Sequence, residues 1–200
     1  MLGVVLAGGE SRRMGRDKAE LSIAGEPLWR RQSQVLAAAG AHPVVLIRRL
    51  GQSAPAGIDC WRDLRTSAGP LTGLEAALAP QSDAWLAVLA IDLPGIDSAW
   101  FAWLRRACRP GCGAAARRGE FCEPLAAIYP AEALTEVRER LDRGARSAQE
   151  LVRALAAGGR MTLVDPPAGQ AGPQPNLNTA AELAAWERSA PNSGLRPPPP

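Results

Sequence analysis

The 200-residue sequence predicts an α/β fold, a Rossmann-like three-layer αβα sandwich with a mostly parallel sheet. Three observations carry this prediction. Leu2–Leu6, Val44–Ile47 and Trp85–Ile91 are short continuous apolar runs, as expected of parallel strands buried on both faces. Helical stretches separate these runs, which implies βαβ units with right-handed crossovers. The most motif-like polar segment begins directly after the first run, where open parallel sheets bind ligands.

The elements follow in order. After Leu2–Leu6 comes the Gly/Arg-rich segment Ala7 to Lys18. Pro27 is expected in the first turn of a helix that runs to about Ala39 and is ended by Gly40. Val44–Ile47 is the second strand, and the loop-like stretch 51–70 holds a short strand at Ile58–Trp61. A helix opens at Gly69-Pro70 and ends near Pro80. The strong strand Trp85–Ile91 is stopped by Asp92-Leu93-Pro94. Asp97 or Ser98 caps a helix to about Ala107. Ala114–Ala116 and Pro124–Tyr129 read as later strands, 131–142 and 147–157 as helices, and Met161–Val164 as a last strand. Thr179-Ala180-Ala181-Glu182 fits a capping box before a helix over 180–187. Residues 1–188 are expected to form one domain, and 189–200 a disordered Pro-rich tail.

Composition narrows the function classes. The hydrophobic fraction of 46% is that of a globular protein. No run reaches a membrane span, and the N-terminus has neither a basic region nor a cleavage site, so a cytoplasmic location is expected. A net charge of +3 with scattered arginines does not point to nucleic acid. The tryptophans are not interleaved with bases as a stacking platform would be. Cys60, Cys108, Cys112 and Cys122 match no zinc spacing and read as reduced structural thiols, a Cys108/Cys112/Cys122 metal cluster being the alternative. His42 has no partner for a catalytic triad. Of the 23 basic residues only Lys18 is lysine, which suggests a site where a guanidinium will not serve.

Four segments carry chemistry. In Leu6-Ala7-Gly8-Gly9-Glu10-Ser11-Arg12-Arg13-Met14-Gly15-Arg16-Asp17-Lys18, glycines let the backbone approach a ligand while Arg12, Arg13, Arg16 and Lys18 offer charge to a polyphosphate. Neither the P-loop nor the dinucleotide fingerprint is present; the competing reading is a turn with solvated arginines. Asp63 with Gly69-Pro70-Leu71-Thr72-Gly73-Leu74 is either an anion-receiving helix start or a plain cap. Asp92, at a strand's end, can hold a cation beside a phosphate or merely start a turn. In Asn176-Leu177-Asn178-Thr179, capping explains Thr179 but neither asparagine.

The loop L-A-G-G-x-S-x-R-M-G-x-D-K closely resembles the signature loop of the molybdenum cofactor guanylyltransferases, a family of the nucleotidyltransferase superfamily. D-x5-G-P-L-x-G-L, the aspartate of Asp92-Leu93-Pro94, and N-x-N-T are similar to that family's later motifs. The resemblance implies a nucleotidyltransferase-type fold and GMP transfer from Mg-GTP to the terminal phosphate of molybdopterin or molybdenum cofactor. It implies that Leu6, Ala7, Gly8, Gly9, Lys18, Asp63 and Asp92 bind the nucleotide. Lys18, Arg13 and Asp92 would be catalytic, and Asp92 would hold Mg²⁺. Asn178 and Asn176 would lie on the acceptor side, and a molybdoenzyme or its chaperone would be a further partner. Glu123-Pro124-Leu125 is similar to the segment where the acceptor side begins. Ile47-Arg48-Arg49-Leu50 departs from the family, which commonly has a nucleotide-contacting asparagine there; an arginine would reach the same phosphates or ribose, or the contact is lost. The rivals are a cytidylyl- or sugar-phosphate nucleotidyltransferase and a catalytically silent nucleotide-binding subunit.

Overall fold

The computed structural model describes residues 1–9, 17–23, 25–65, 69–80 and 85–167. The N-terminal half comprises β1 (Leu2–Leu6), a 3-10 turn (Lys18–Glu20), β2 (Ser22–Ile23), β3 (Glu26–Pro27), α1 (Leu28–Ala38), β4 (Val44–Arg48), β5 (Asp59–Arg62), α2 (Pro70–Leu78) and β6 (Trp85–Ala90). There follow α3 (Ser98–Arg105), β7 (Gly113–Arg118), β8 (Phe121–Cys122), β9 (Ala126–Pro130), α4 (Ala133–Asp142), α5 (Ala148–Ala157) and β10 (Met161–Val164). The central sheet has the order β10-β7-β9-β6-β1-β4-β5, with β8 paired to β7. Its pairs are parallel except those of β9 with β6 and β7, and of β8 with β7.

Strand alternation builds the three layers. Successive side chains of a strand point to opposite faces, and two apolar clusters result. Val4, Val45, Ile47, Leu86 and Val88 pack under α2, α4 and α5. Val5, Leu46, Ala87 and Leu89 pack under α1 and α3, with Leu36, Trp100 and Phe101. Full burial of such side chains stabilises by roughly 1.5–3 kcal/mol each. Trp100 shows why its polar tip is tolerated there, because its indole N–H donates to Ala126 O at 2.9 Å.

Asp97 caps α3 as expected, accepting from Trp100 N at 2.9 Å. Ser147, expected as the first helical residue, is instead the cap of α5 and accepts from Glu150 N at 3.2 Å. Pro27 corrects the expectation of a helical first turn: it pairs with Ser22 in a small hairpin, and α1 begins one residue later. The β2–β3 hairpin, β8 and the 3-10 turn were not expected, since two- and three-residue elements carry no periodicity. The capping box at Thr179, Asn176, Asn178 and the Pro-rich tail all lie outside the described residues. Among the described residues no helix is long and apolar enough to cross a membrane. None of their cysteines is in a disulfide, and no group of three or more His, Cys, Asp or Glu side chains is placed to hold a metal.

Candidate active site

The chain runs from β1 outward through β4 to β5, then returns to place β6 on the other side of β1. This reversal opens a crevice at the carboxyl ends of β1, β4 and β6. Backbone hydrogen bonds lace these ends together: Ala7 N to Ile47 O at 2.9 Å, Ile91 N to Leu6 O at 3.0 Å, and Asp63 N to Arg48 O at 3.0 Å. Gln32, fully buried on α1, donates to Ala90 O at 3.1 Å and Leu93 O at 3.0 Å, which fixes the turn that carries Asp92.

The crevice is a cleft of about 330 Å³ walled by Leu6, Gly8, Gly9, Lys18, Asp63 and Asp92, with Ile47, Arg49, Gly69, Pro70, Gly73 and Leu125. Among the described residues singled out for the nucleotide, Ala7 alone does not line the cleft; its side chain is buried. Arg13, Asn176 and Asn178 lie outside the described residues. Glycine is required where α2 meets the sheet: a Cβ on Gly73 would stand 2.9 Å from Leu6 Cδ2 and 3.3 Å from Ile47 Cγ2.

Two carboxylates mark the ends of the cleft. At one end Lys18 Nζ is 4.0 Å from Asp92 Oδ2. Burial raises the Asp92 carboxyl above the usual range, while the Lys18 charge and a backbone N–H pull it back down. At the other end Asp63 is buried, 3.2 Å from Thr72 Oγ1. Burial raises its carboxyl too, opposed by the Thr72 hydrogen bond and the charge of Arg49.

Several residues that build the site had no structural role assigned from the sequence. Asp17 accepts from Ala19 N at 3.0 Å, capping the turn that presents Lys18. It also forms an ion pair with Arg48, whose side chain is fully buried. Arg48 and Arg49 therefore part company: the first locks the Lys18 turn, and only the second lines the cleft. Strand alternation was the available signal, since Ile47 lies on the α2 face and Arg48 must point the other way. Glu75, buried on α2, accepts from Arg65 at 2.8 and 3.0 Å, and Arg65 also donates to Asp142 at 2.7 Å. This network ties the segment after Asp63 to α2 and α4.

A second, smaller recess is lined by Trp100, Ala116, Arg118, Phe121 and Glu123. Glu123 is 7% exposed and accepts from Leu125 N at 3.0 Å. Burial, with a lesser contribution from the Asp92 charge, pushes its carboxyl up to about 7.

A mostly parallel sheet whose glycine-walled cleft opens at the strand reversal, with a lysine and a carboxylate facing each other in it, is the architecture of a nucleotidyltransferase. The chain belongs to the MobA-like NTP transferase family, whose domain profile matches residues 3–160. It is 51% identical over 168 residues to a probable molybdenum cofactor guanylyltransferase of Opitutus terrae, covering 82% of this chain and 83% of the relative. A protein of the same designation from Deinococcus radiodurans is 35% identical over 150 residues, covering 73% of this chain and 76% of the relative. Among solved structures, molybdopterin-guanine dinucleotide biosynthesis protein A of Archaeoglobus fulgidus superposes with a TM-score of 0.72 at 25% identity, covering 94% of this chain and 97% of that one. The 2-C-methyl-D-erythritol 4-phosphate cytidylyltransferase of Thermus thermophilus shares the fold, with a TM-score of 0.67 at 19% identity and the same coverage.

Proposed function

We propose that this enzyme transfers GMP from Mg-GTP to the terminal phosphate of molybdopterin or its molybdenum-loaded form, giving the guanine dinucleotide cofactor and pyrophosphate. The observation that carries nucleotidyl transfer is the Lys18–Asp92 pair in a glycine-walled cleft. The choice of guanine and of the pterin acceptor rests on the designations of the relatives.

The acceptor phosphate is already an anion, so the reaction needs no general base. A phosphate oxygen attacks the α-phosphorus, the bond from that phosphorus to the bridging oxygen breaks, and pyrophosphate leaves with the electron pair. The obstacle is repulsion between two phosphates, so positioning and fixed charge supply most of the acceleration. Lys18 stabilises charge on the α-phosphate and the departing group. The backbone at Gly8 and Gly9 lets the nucleotide approach β1 closely, and Arg13 assists on the phosphates. Asp63 holds the guanosine part.

Asp92 fits a magnesium ion. It offers hard oxygen ligands at the cleft wall, with open space beside it for phosphate oxygens and water, and Mg²⁺ commonly takes only one or two carboxylates. When bound, the ion supplies positive charge to the transferring and departing phosphates. Asn176 and Asn178 belong to the acceptor side in this reading. Residues 1–188 act as one catalytic domain, and the product passes to a molybdoenzyme or its chaperone.

The test is pyrophosphate release from Mg-GTP with and without molybdopterin, using CTP and UTP as controls. Release that requires both GTP and the pterin is expected. Release with CTP in preference to GTP, or none despite GTP binding and a competent acceptor, would overturn the reading.

A further inference from the structure

Arg49 is fixed on both sides of its backbone. Its N–H donates to Gln52 Oε1 at 2.9 Å, and its carbonyl accepts from Arg62 Nη1 and Gln52 N, each at 3.2 Å. Its stem then crosses Gly8, where an added Cβ would lie 3.3 Å from Arg49 Cγ and 3.7 Å from Asp63 Oδ2. Gly8, Arg49 and Asp63 thus meet at one point on the cleft wall, and the charge of Arg49 is felt by the Asp63 carboxyl.

The two ends of the cleft differ in what they can accept. In the nucleotide-binding reading above, the phosphates lie at Lys18 and the guanosine part at Asp63. The base of a nucleotide so placed faces Asp63 and Arg49, which share one point of the cleft wall. A carboxylate accepts N–H bonds and a guanidinium donates them in a fixed fork. Guanine presents two adjacent acceptors, O6 and N7, beside the donors N1–H and the 2-amino group. Adenine and cytosine put an amino donor where guanine has O6. Uracil has the carbonyl and an N–H but no N7.

We propose that Arg49 is a guanine-selecting residue, its guanidinium donating to O6 and N7 while Asp63 accepts from N1–H and the 2-amino group. The inference rests on the nucleotide-binding reading above and adds the residue that separates guanine from the other bases. It makes Arg49 a base-reading group and not a further phosphate ligand.

Calorimetric binding of GTP, 7-deaza-GTP, CTP and UTP, without acceptor, tests it on the full chain and on Arg49→Ala and Arg49→Lys. The wild type is expected to bind GTP several-fold more tightly than 7-deaza-GTP. Arg49→Ala should weaken GTP roughly ten- to a hundredfold, the range for one bidentate arginine–guanine contact, while CTP and UTP change by less than about threefold. Arg49→Lys keeps the charge but loses the fork, so it should lose most of the preference for GTP over 7-deaza-GTP. An equal loss for all nucleotides in Arg49→Ala would place the side chain on phosphate or ribose and overturn the proposal. Equal wild-type affinity for GTP and 7-deaza-GTP overturns it without any variant. A wild type that binds no nucleotide fails the underlying reading instead, and that result is distinct from the other two.

Discussion

Lys18 Nζ stands 4.0 Å from Asp92 Oδ2, the lysine delivered by a turn after β1 and the carboxylate by the end of β6. Lys18 opens a single 3-10 turn and Asp92 lies outside any helix or strand, yet both are held: Asp17 caps the lysine's turn, and Gln32 clamps the aspartate's. A compact ammonium fits this spacing, and a planar guanidinium does not. Lys18→Arg should therefore lower kcat by roughly 10²–10³, the usual cost of removing a preorganised charge from a developing oxyanion. Pyrophosphate release at saturating GTP measures it, and near-normal turnover would end the argument from the single lysine.

Asp92→Asn should abolish most activity, and added Mg²⁺ should not restore it. The same variant should unfold no more readily than the wild type, because burial already disfavours the charged carboxylate. A magnesium titration of turnover, paired with a thermal melt, separates loss of metal from loss of fold.

Arg48 is fully buried and its counterion is Asp17, whose side chain is a quarter exposed. Asp17→Ala leaves an uncompensated buried charge. Full burial would put the cost at the high end for a broken pair, but water reaches Asp17, so on the order of 2–3 kcal/mol is expected. That corresponds to a fall in Tm of roughly 4–12 °C for a chain of this size. Arg48→Met in the same background should recover most of the stability but not the activity, since the turn that presents Lys18 has lost its cap.

Glu123 predicts a pH effect of definite sign. Its carboxyl is raised by burial from an ordinary 4.5 to about 7 in the folded chain. The protonated form therefore stabilises the fold fully below about 4.5, and this contribution is lost as pH rises through about 7. The total is on the order of 3 kcal/mol. Urea unfolding at pH 5 and pH 8 should show the wild type losing stability relative to Glu123→Gln at the higher pH, and an equal difference at both would refute it.

Much of the fold was legible along the chain, and for a simple reason. Leu2–Leu6, Val44–Ile47 and Trp85–Ala90 are buried on both faces, so each is a continuous apolar run that nothing on the surface imitates. Glycines 8 and 9 and Asp92 could likewise be singled out, because residues after a parallel strand in a βαβ chain fall at the ligand-binding edge; Lys18 stood out as the single lysine, and Asp63 only through the family resemblance of its segment. What stayed hidden was local and short. The β2–β3 hairpin and β8 have too few residues to show a period.

By itself, then, the sequence determined the layers, the edge at which the cleft opens, and the residue types available there. Only the tertiary structure decided how adjacent residues divide their roles. Arg48 and Arg49 are the same side chain one residue apart, but the pleat sends one into the core to meet Asp17 and the other across Gly8 into the cleft. The same holds for the carboxylates. Asp63, Asp92 and Glu123 are ordinary acids in the chain, and the burial that lifts their pKa values comes from walls contributed by distant elements. Desolvation is a property of the surroundings in three dimensions, and no run of letters contains it.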